Sequence, residues 1–161
     1  MIAIRKAMEG DCDAIWAILE PVLRAGEVFA LPREMTREQA LAYWTAPSHS
    51  VFVAELGGEV VGSYYLRANQ QGGGDHVCNC GYVTDLRFQR HGVARWMCEH
   101  SLQYGKQAGF RAMQFNLVVE TNAAAVHLWG KCGFAEVGRL PGAFRQPELG
   151  FVDALVMWRE L

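Results

Sequence analysis

Apolar positions in the first half of the chain predict one strand, two helices and a hairpin, in that order. A strand at about residues 2–5 leads into a helix that Asp11 caps, with an apolar residue every three or four positions. Thr36-Arg37-Glu38-Gln39 has the form of a capping box and therefore predicts the start of a second helix. Two glycines join the apolar runs 51–56 and 60–66, a spacing that favours a β-hairpin.

The second half alternates between strand-like and helix-like periods. The predicted elements are a strand at 76–84, a helix at 92–106, a strand at 112–120, a helix at 122–132 and two closing strands at 134–139 and 151–159, separated by a Pro/Gly-rich loop. Strict alternation over 112–120 predicts that Asn116 and Glu120 share one face of that strand. The order of elements predicts a single α/β domain over residues 1–161, built on a sheet of mixed strand direction.

Composition and charge narrow the function only a little. The chain has 161 residues, 51% of them apolar and 20% charged, which suits one globular domain. Its net charge of −2 gives no overall attraction to nucleic acid or to an anionic membrane, so neither is an expected partner. No signal peptide is visible, and five scattered cysteines suit reduced thiols, so a cytoplasmic location is expected. Cys78 and Cys80 are spaced too tightly for zinc, and no metal is expected.

The segment from Gln89 to Ala94 has the arrangement that a diphosphate needs, namely a strand, a short loop, a glycine and a helix start. Backbone N–H groups in the first turn of a helix lack partners, and the helix dipole adds positive charge there. Gly92 lets the backbone approach a phosphate closely, and basic side chains between Arg87 and Arg95 add local charge. The alternative is that Gly92 only makes a turn and the basic residues form a solvated surface. Neither the P-loop pattern nor the dinucleotide-binding pattern is present.

Two motifs give the chain a resemblance to a known family. Gln89-x-x-Gly92-x-Ala94 matches the acyl-CoA motif Q/R-x-x-G-x-G/A, and residues 122–134 match the segment N-x-x-A-x-x-L-Y-x-K-x-G-F. In these motifs and in their order, the chain resembles the GNAT superfamily of N-acetyltransferases. The segments Cys78–Tyr82, Phe115–Asn122 and Arg67–Gln70 look most like the fungal azetidine-2-carboxylate (proline-analogue) N-acetyltransferases. The resemblance implies a mixed, mostly antiparallel central sheet of about seven strands flanked by about four helices. It also implies acetyl-CoA as cosubstrate and a homodimer.

The resemblance further implies which residues hold the cofactor. The loop before the 92–106 helix would bind the pyrophosphate, the end of the 76–84 strand would flank the pantetheine arm, and Asn122 would hydrogen-bond that arm. Trp129 lies where many relatives carry a tyrosine that protonates the leaving thiolate, and an indole N–H is not a usable acid. The expected cofactor-binding residues are Tyr82, Val83, Thr84, Gln89, Arg90, His91, Gly92, Val93, Ala94, Arg95, Asn122, Trp129 and Lys131.

The residues expected to bind the acceptor substrate are less well defined than those expected to bind the cofactor. Asn79 and Asn116 are expected to meet the substrate, and the alternative is that each amide only bonds neighbouring backbone. Glu120 is the candidate base, and the alternative is that its charge only faces solvent at the end of a strand. Some relatives carry a glutamate base at the position that is Leu117 in this chain. The residues expected to line the acceptor pocket are Glu27, Phe29 and Tyr65.

The function expected from the resemblance is transfer of acetyl from acetyl-CoA to the amine of a small molecule, by direct attack in a ternary complex. An amino or imino acid is one candidate acceptor. Two alternatives stay open: a catalytically weak acyl-CoA-binding sensor, which Trp129 at the acid position favours, and an N-acetyltransferase acting on a protein or peptide.

Overall fold

A computed structural model describes all 161 residues and contains seven strands and four α-helices. The strands are β1 (Ile2–Lys6), β2 (Ser50–Leu56), β3 (Glu59–Ala68), β4 (Val77–Thr84), β5 (Ala112–Val119), β6 (Ala135–Gln146) and β7 (Gly150–Glu160). The helices are α1 (Cys12–Ala25), α2 (Arg37–Trp44), α3 (Val93–Gln107) and α4 (Ala123–Lys131). None of these helices is both long and apolar enough to cross a bilayer.

The seven strands form one sheet in the order β1-β2-β3-β4-β5-β7-β6. Every neighbouring pair is antiparallel except β4 and β5, which run parallel and are connected through α3. The predicted fold, a mixed and mostly antiparallel sheet with four flanking helices, is confirmed.

Alternate residues of β3 face two separate apolar cores. Tyr64 belongs to the larger core, which includes α3 residues, and its ring stacks on Phe52 with centroids 4.9 Å apart. Tyr65 belongs to the smaller core, formed with α1 and α2, where its ring meets Trp44 edge-on at 4.9 Å. Because side chains alternate along a strand, Arg67 lies on the same face of β3 as Tyr65.

The predicted cap of α1 is wrong, whereas the predicted cap of α2 is confirmed. Asp11 precedes α1, but its side chain makes no cap bond to that helix. Its carboxylate instead accepts hydrogen bonds from the Arg5 guanidinium at 2.8 and 2.9 Å, and Arg5 lowers the pKa of that carboxyl. The capping box of α2 is confirmed, since Thr36 accepts from the Gln39 N–H and the Gln39 side chain accepts from the Thr36 N–H.

Two strands depart from the predicted pattern. A bulge between Phe115 and Val118 shifts the register of β5 with β7, so both residues are buried and the alternation reverses. Asn116 and Glu120 therefore do not share a face, contrary to the prediction. The loop predicted after residue 139 is also wrong: β6 continues to Gln146, because residues 144–146 pair with β7.

Candidate active site

A gap opens in the middle of the sheet because β4 and β5 diverge. These parallel strands pair only at Val77–Ala112 and Cys78–Met113. At both ends of the β3–β4 ladder, the backbone hydrogen bonds that join the two segments are made by odd-numbered residues on the β4 side. The odd-numbered residues of β4 therefore direct their backbone N–H and C=O groups toward β3. The even-numbered residues beyond the paired region therefore turn their N–H and C=O groups into the gap; they are Cys80, Tyr82 and Thr84.

A cavity of about 710 Å³ follows this gap. At one end it reaches the loop before α3, and at the other it is bounded by the segment 28–31, by the end of α2 and by β3. Its lining contains no Asp, Glu, Lys or His, and its only charged residues are Arg67, Arg90 and Arg95. The cavity therefore favours anionic groups, with arginine at each end.

Unpaired backbone N–H groups build the end of the cavity next to α3. Arg90 and Gly92 have left-handed backbone, with φ of 64° and 79°, a conformation that gathers successive N–H groups into an anion-binding nest. None of the N–H groups from Gln89 to Arg95 donates to another backbone carbonyl. The nearest atom to a Cβ built on Gly92 is Trp96 Cδ1 at 3.8 Å, so the approach to the nest is open. These features fit a pyrophosphate.

The basic side chains near the nest contribute unequally. Arg90 and Arg95 line the cavity, although Arg95 also pairs with Glu99 at 2.9 Å. Arg87, expected to add to the local charge, lies outside the cavity and is held by two carboxylates at 2.5 and 2.7 Å. The positive field at the nest thus comes from Arg90, Arg95 and the helix start rather than from the whole basic run.

Aromatic rings form the wall at the other end of the cavity. The Tyr65 ring lies directly against Gly81, where an added Cβ would overlap the ring and force it to move. Tyr65 Oη is 3.1 Å from Tyr43 Oη, and Phe29 packs edge-on against Trp44 at 6.0 Å. Phe29 and Tyr65 both line the cavity as expected. Burial raises the pKa of Tyr65, so its phenol stays protonated.

Both predicted substrate asparagines line the cavity, and both also bond within the protein. Asn79 Nδ2 donates to the Gln114 carbonyl at 2.9 Å, which ties β4 to β5 where the gap begins. Asn116 Nδ2 donates to Asn69 Oδ1 at 2.7 Å, and Asn116 Oδ1 accepts from Gln114 Nε2 at 3.0 Å. Each amide thus has partners within the protein, in a position that still allows contact with a ligand.

The side chains of Trp129, Tyr82 and Cys80, which lie nearest to the open edge of β4, are poorly suited to proton transfer at neutral pH. Trp129 packs between Tyr82 and Phe115, with ring centroids 5.0 Å from each. The Tyr82 hydroxyl is 2.7 Å from Ser101 Oγ, and burial raises its pKa well above the usual value. Burial likewise raises the pKa of the Cys80 thiol, which therefore stays protonated.

Five of the predicted site residues are not brought to the cavity; they are Glu27, Val83, His91, Lys131 and Glu120. Val83 is buried in the smaller core and its backbone faces β3. Glu120 pairs with Arg139 at 2.8 Å, beyond the bulge that reversed the alternation of β5. The geometry gives no support for Glu120 as a base. The other predicted residues, including Thr84, Gln89, Val93, Ala94, Asn122 and Trp129, do line the cavity.

Sequence reasoning missed Arg67 as a site residue. It lines the cavity, and its Nε atom is buried with no hydrogen-bond partner. A signal was available in the pattern: Arg67 is a charge at the end of the apolar run from Val60 to Leu66, on the same face as Tyr65.

Comparison with known proteins now identifies the class. The model of the Acetyltransferase (GNAT) family matches residues 4–134. A GCN5-related N-acetyltransferase from Kribbella flavida is 37% identical, with a TM-score of 0.95 over 99% of this chain and 98% of that chain. The chain belongs to the GNAT family and is an acetyltransferase.

More distant relatives agree on the class and on the fold. The N-acetyltransferase aca1 of Schizosaccharomyces pombe is 24% identical over 151 residues, which cover 83% of this chain and 72% of that protein. A further solved structure is that of yncA from Salmonella typhimurium, described as a putative acetyltransferase with its cofactor acetyl-CoA. It is 21% identical to this chain with a TM-score of 0.87, and the match covers 100% of this chain and 94% of that chain.

Proposed function

We propose that the protein transfers the acetyl group of acetyl-CoA to the amine nitrogen of a small molecule while both are bound in the one cavity. The observation that carries this proposal is the continuity of that cavity, which joins the N–H nest to the aromatic-walled pocket. Family membership supports the acetyl transfer, and the acceptor is inferred from the shape and lining of the pocket.

The nest would hold the pyrophosphate through the backbone between Gln89 and Arg95, with Arg90 and Arg95 adding charge. The unpaired backbone groups of Tyr82 and Thr84 would bond the amides of the pantetheine arm, as a neighbouring strand would. Asn122 accepts from the Ala125 N–H at 3.4 Å and keeps its own NH₂ for the arm. When bound, acetyl-CoA supplies an activated acyl carbonyl at the open edge of β4.

Alignment of the two reactants is the main source of rate in this account. The amine nitrogen bonds to the carbonyl carbon, the carbon–sulfur bond breaks, the sulfur leaves as thiolate and the nitrogen loses its proton to water. Holding amine and thioester together can supply an effective concentration of roughly 10⁵ M or more. A β4 N–H that bonds the carbonyl oxygen adds on the order of 3 kcal/mol. A thiol pKa of about 8.5 makes the thiolate a tolerable leaving group without a dedicated acid.

Direct attack is favoured over an acetyl-cysteine route. Cys80 is the only thiol among the lining residues, and its Sγ contacts Met113 Sδ at 3.8 Å within the larger core. Because burial raises its pKa, Cys80 carries little of the thiolate that a nucleophile needs.

Release of free thiol from acetyl-CoA, measured against a panel of amino acids, imino acids, simple amines and a peptide, tests the proposal. We expect a small amine to be acetylated and the peptide not to be. Acetylation of the peptide alone would contradict the small-molecule acceptor. Tight binding of acetyl-CoA by calorimetry with no acetylated amine would favour the sensor. The cytoplasmic location and the homodimer stay predictions, and light scattering after gel filtration measures the latter.

A further inference from the structure

Arg67 is a cation without a partner in a cavity that lacks acidic groups. Its Nε is buried and has no hydrogen-bond partner. None of the ion pairs in the chain includes it. A guanidinium partly removed from water and left unpaired costs stability, so a ligand that pairs with it gains correspondingly.

Arg67 lies too far along the sheet to serve the nest. It pairs with Asn79 across the β3–β4 ladder, whereas the nest follows Thr84 at the other end of β4. The separation of Asn79 and Thr84 corresponds to about 16 Å of strand. The pyrophosphate and Arg67 therefore belong to different ends of the cavity, and Arg67 stands on the acceptor side with Tyr65.

The surroundings of Arg67 select for an anion rather than a second cation. Tyr65 is on the same strand face, and His49 stacks on the Tyr65 ring at 4.3 Å. Burial lowers the pKa of His49, the Trp44 carbonyl opposes this, and the charge of Arg67 lowers it further. His49 is thus kept neutral and does not compete with Arg67 for an anion. With no carboxylate in the lining, a polyamine or another purely cationic acceptor would find no counter-charge.

We propose that Arg67 binds a carboxylate of the acceptor, which is therefore an amine that also carries an acid group, of the amino- or imino-acid class. The inference rests on the proposed function and adds to it the group that selects the substrate. A guanidinium presents paired N–H donors that match a carboxylate. Asn79, directly across the ladder, uses its Nδ2 on Gln114 and leaves Oδ1 to accept from the amine.

The spacing suits an amine close to its acid group. Arg67 is two residues along β3 from Tyr65, which pairs with Gly81, and the open edge of β4 begins at Cys80 beside it. Two residues of strand correspond to about 7 Å, within reach of an arginine side chain and a small ligand together. An α- or β-amino acid bridges that distance, whereas an acid group many bonds from the amine does not.

Paired acceptors and paired variants test the inference. Alanine, leucine and proline are compared with their carboxamides in the thiol-release assay, using the unaltered protein, Arg67→Met and Arg67→Lys. We expect the unaltered protein to prefer each acid over its amide. In Arg67→Met, kcat/KM for the acids should fall by about 100-fold, while the amides change little and the preference disappears. Arg67→Lys should restore part of the preference, because charge remains but the paired donors do not.

Two measurements keep the result interpretable. The Kd of acetyl-CoA should be the same in Arg67→Met as in the unaltered protein, and the variant should melt no lower, because it removes an unpaired cation. An acid preference that survives in Arg67→Met, or its absence from the unaltered protein, overturns the inference while acetylation of small amines stands. If no amine is acetylated, the proposed function fails instead. Calorimetry with the same acids then decides on Arg67, since binding that Arg67→Met does not weaken refutes the carboxylate site.

Discussion

At the α3 end of the cavity the groups proposed to bind the ligand belong to the backbone, whereas at the β3 end they belong to side chains from several elements. The nest needs only the local conformation of residues 89–95. The proposed acceptor pocket needs Phe29 from the loop after α1, Tyr43 from α2 and Arg67 from β3 to meet. A backbone site constrains few residue types, so one glycine and a helix start suffice. A side-chain site can change its ligand by single substitutions without changing the fold.

The largest expected effect is at the nest. Gly92→Glu forces a side chain into left-handed backbone and places a negative charge at the phosphates. The strain distorts the nest, and the charge-assisted hydrogen bonds lost with it correspond to about 3–5 kcal/mol, so we expect the Kd of acetyl-CoA to rise by about 100-fold or more. Isothermal titration calorimetry measures this change.

Gly109→Glu is the matched control for that variant. Gly109 also has left-handed backbone, with φ of 97°, and nothing lies within 4 Å of an added Cβ. It follows the end of α3 rather than its start, so it should share the backbone strain and keep the affinity for acetyl-CoA. Equal loss of binding in both variants would remove the nest from the account.

The next effect separates the two asparagines at the acceptor end. Asn79 is buried and its Nδ2 ties β4 to β5, so Asn79→Ala should lower the free energy of unfolding by about 1–2 kcal/mol. Asn116 is exposed, and Asn116→Ala should lower that free energy by less than about 0.5 kcal/mol. Urea unfolding measures both. If Asn116 meets the acceptor, its variant also raises KM for the amine and leaves the Kd of acetyl-CoA unchanged.

A smaller effect, on kcat, is expected from a substitution at Trp129, the position where many relatives carry the tyrosine that protonates the thiolate. Trp129→Tyr places a phenol at the cavity among the rings of Tyr82 and Phe115. If alignment rather than proton donation limits the rate, kcat should stay within about threefold of the unaltered protein. Steady-state thiol release at saturating substrates checks this. A rise of tenfold or more would mean that thiolate protonation limits the natural enzyme.

The smallest expected effect is on the pH dependence of stability and concerns His100, which contacts Tyr64 of the larger core. His100 Nδ1 is 2.7 Å from Tyr64 Oη, and burial lowers the pKa of this histidine. The pKa of His100 is therefore lower in the folded protein than the value of about 6.5 expected in the unfolded chain. The stability that neutral His100 contributes is fully present above that unfolded pKa, and it is lost as the pH falls through the folded pKa. The stability advantage of the unaltered protein over His100→Asn should therefore shrink on acidification below that pH. Urea unfolding across pH 5–8 measures it, and a constant difference would contradict the assignment.

The two ends also differ in how far the sequence predicts them. The strand, Gly92 and the helix start are contiguous, so the local pattern of residues is enough to predict the nest. The motif in residues 122–134 is likewise contiguous, and the family that it indicated is confirmed by the family model that matches residues 4–134. The bulge after Phe115 could not be predicted, because it arises from pairing with β7 far along the chain. That bulge is why Glu120 turns to Arg139 instead of the cavity. The local pattern marks Arg67 as a charge at the end of an apolar strand, but its position opposite Asn79 depends on the pairing of β3 with β4, which no local pattern contains.

The central claim is that one cavity holds both reactants at once. A matrix of initial rates, with acetyl-CoA and an acceptor amine both varied, tests it most directly. Attack in a ternary complex predicts double-reciprocal lines that intersect. Parallel lines, together with an acetylated Cys80 detected by mass spectrometry, would show a covalent intermediate and contradict the account.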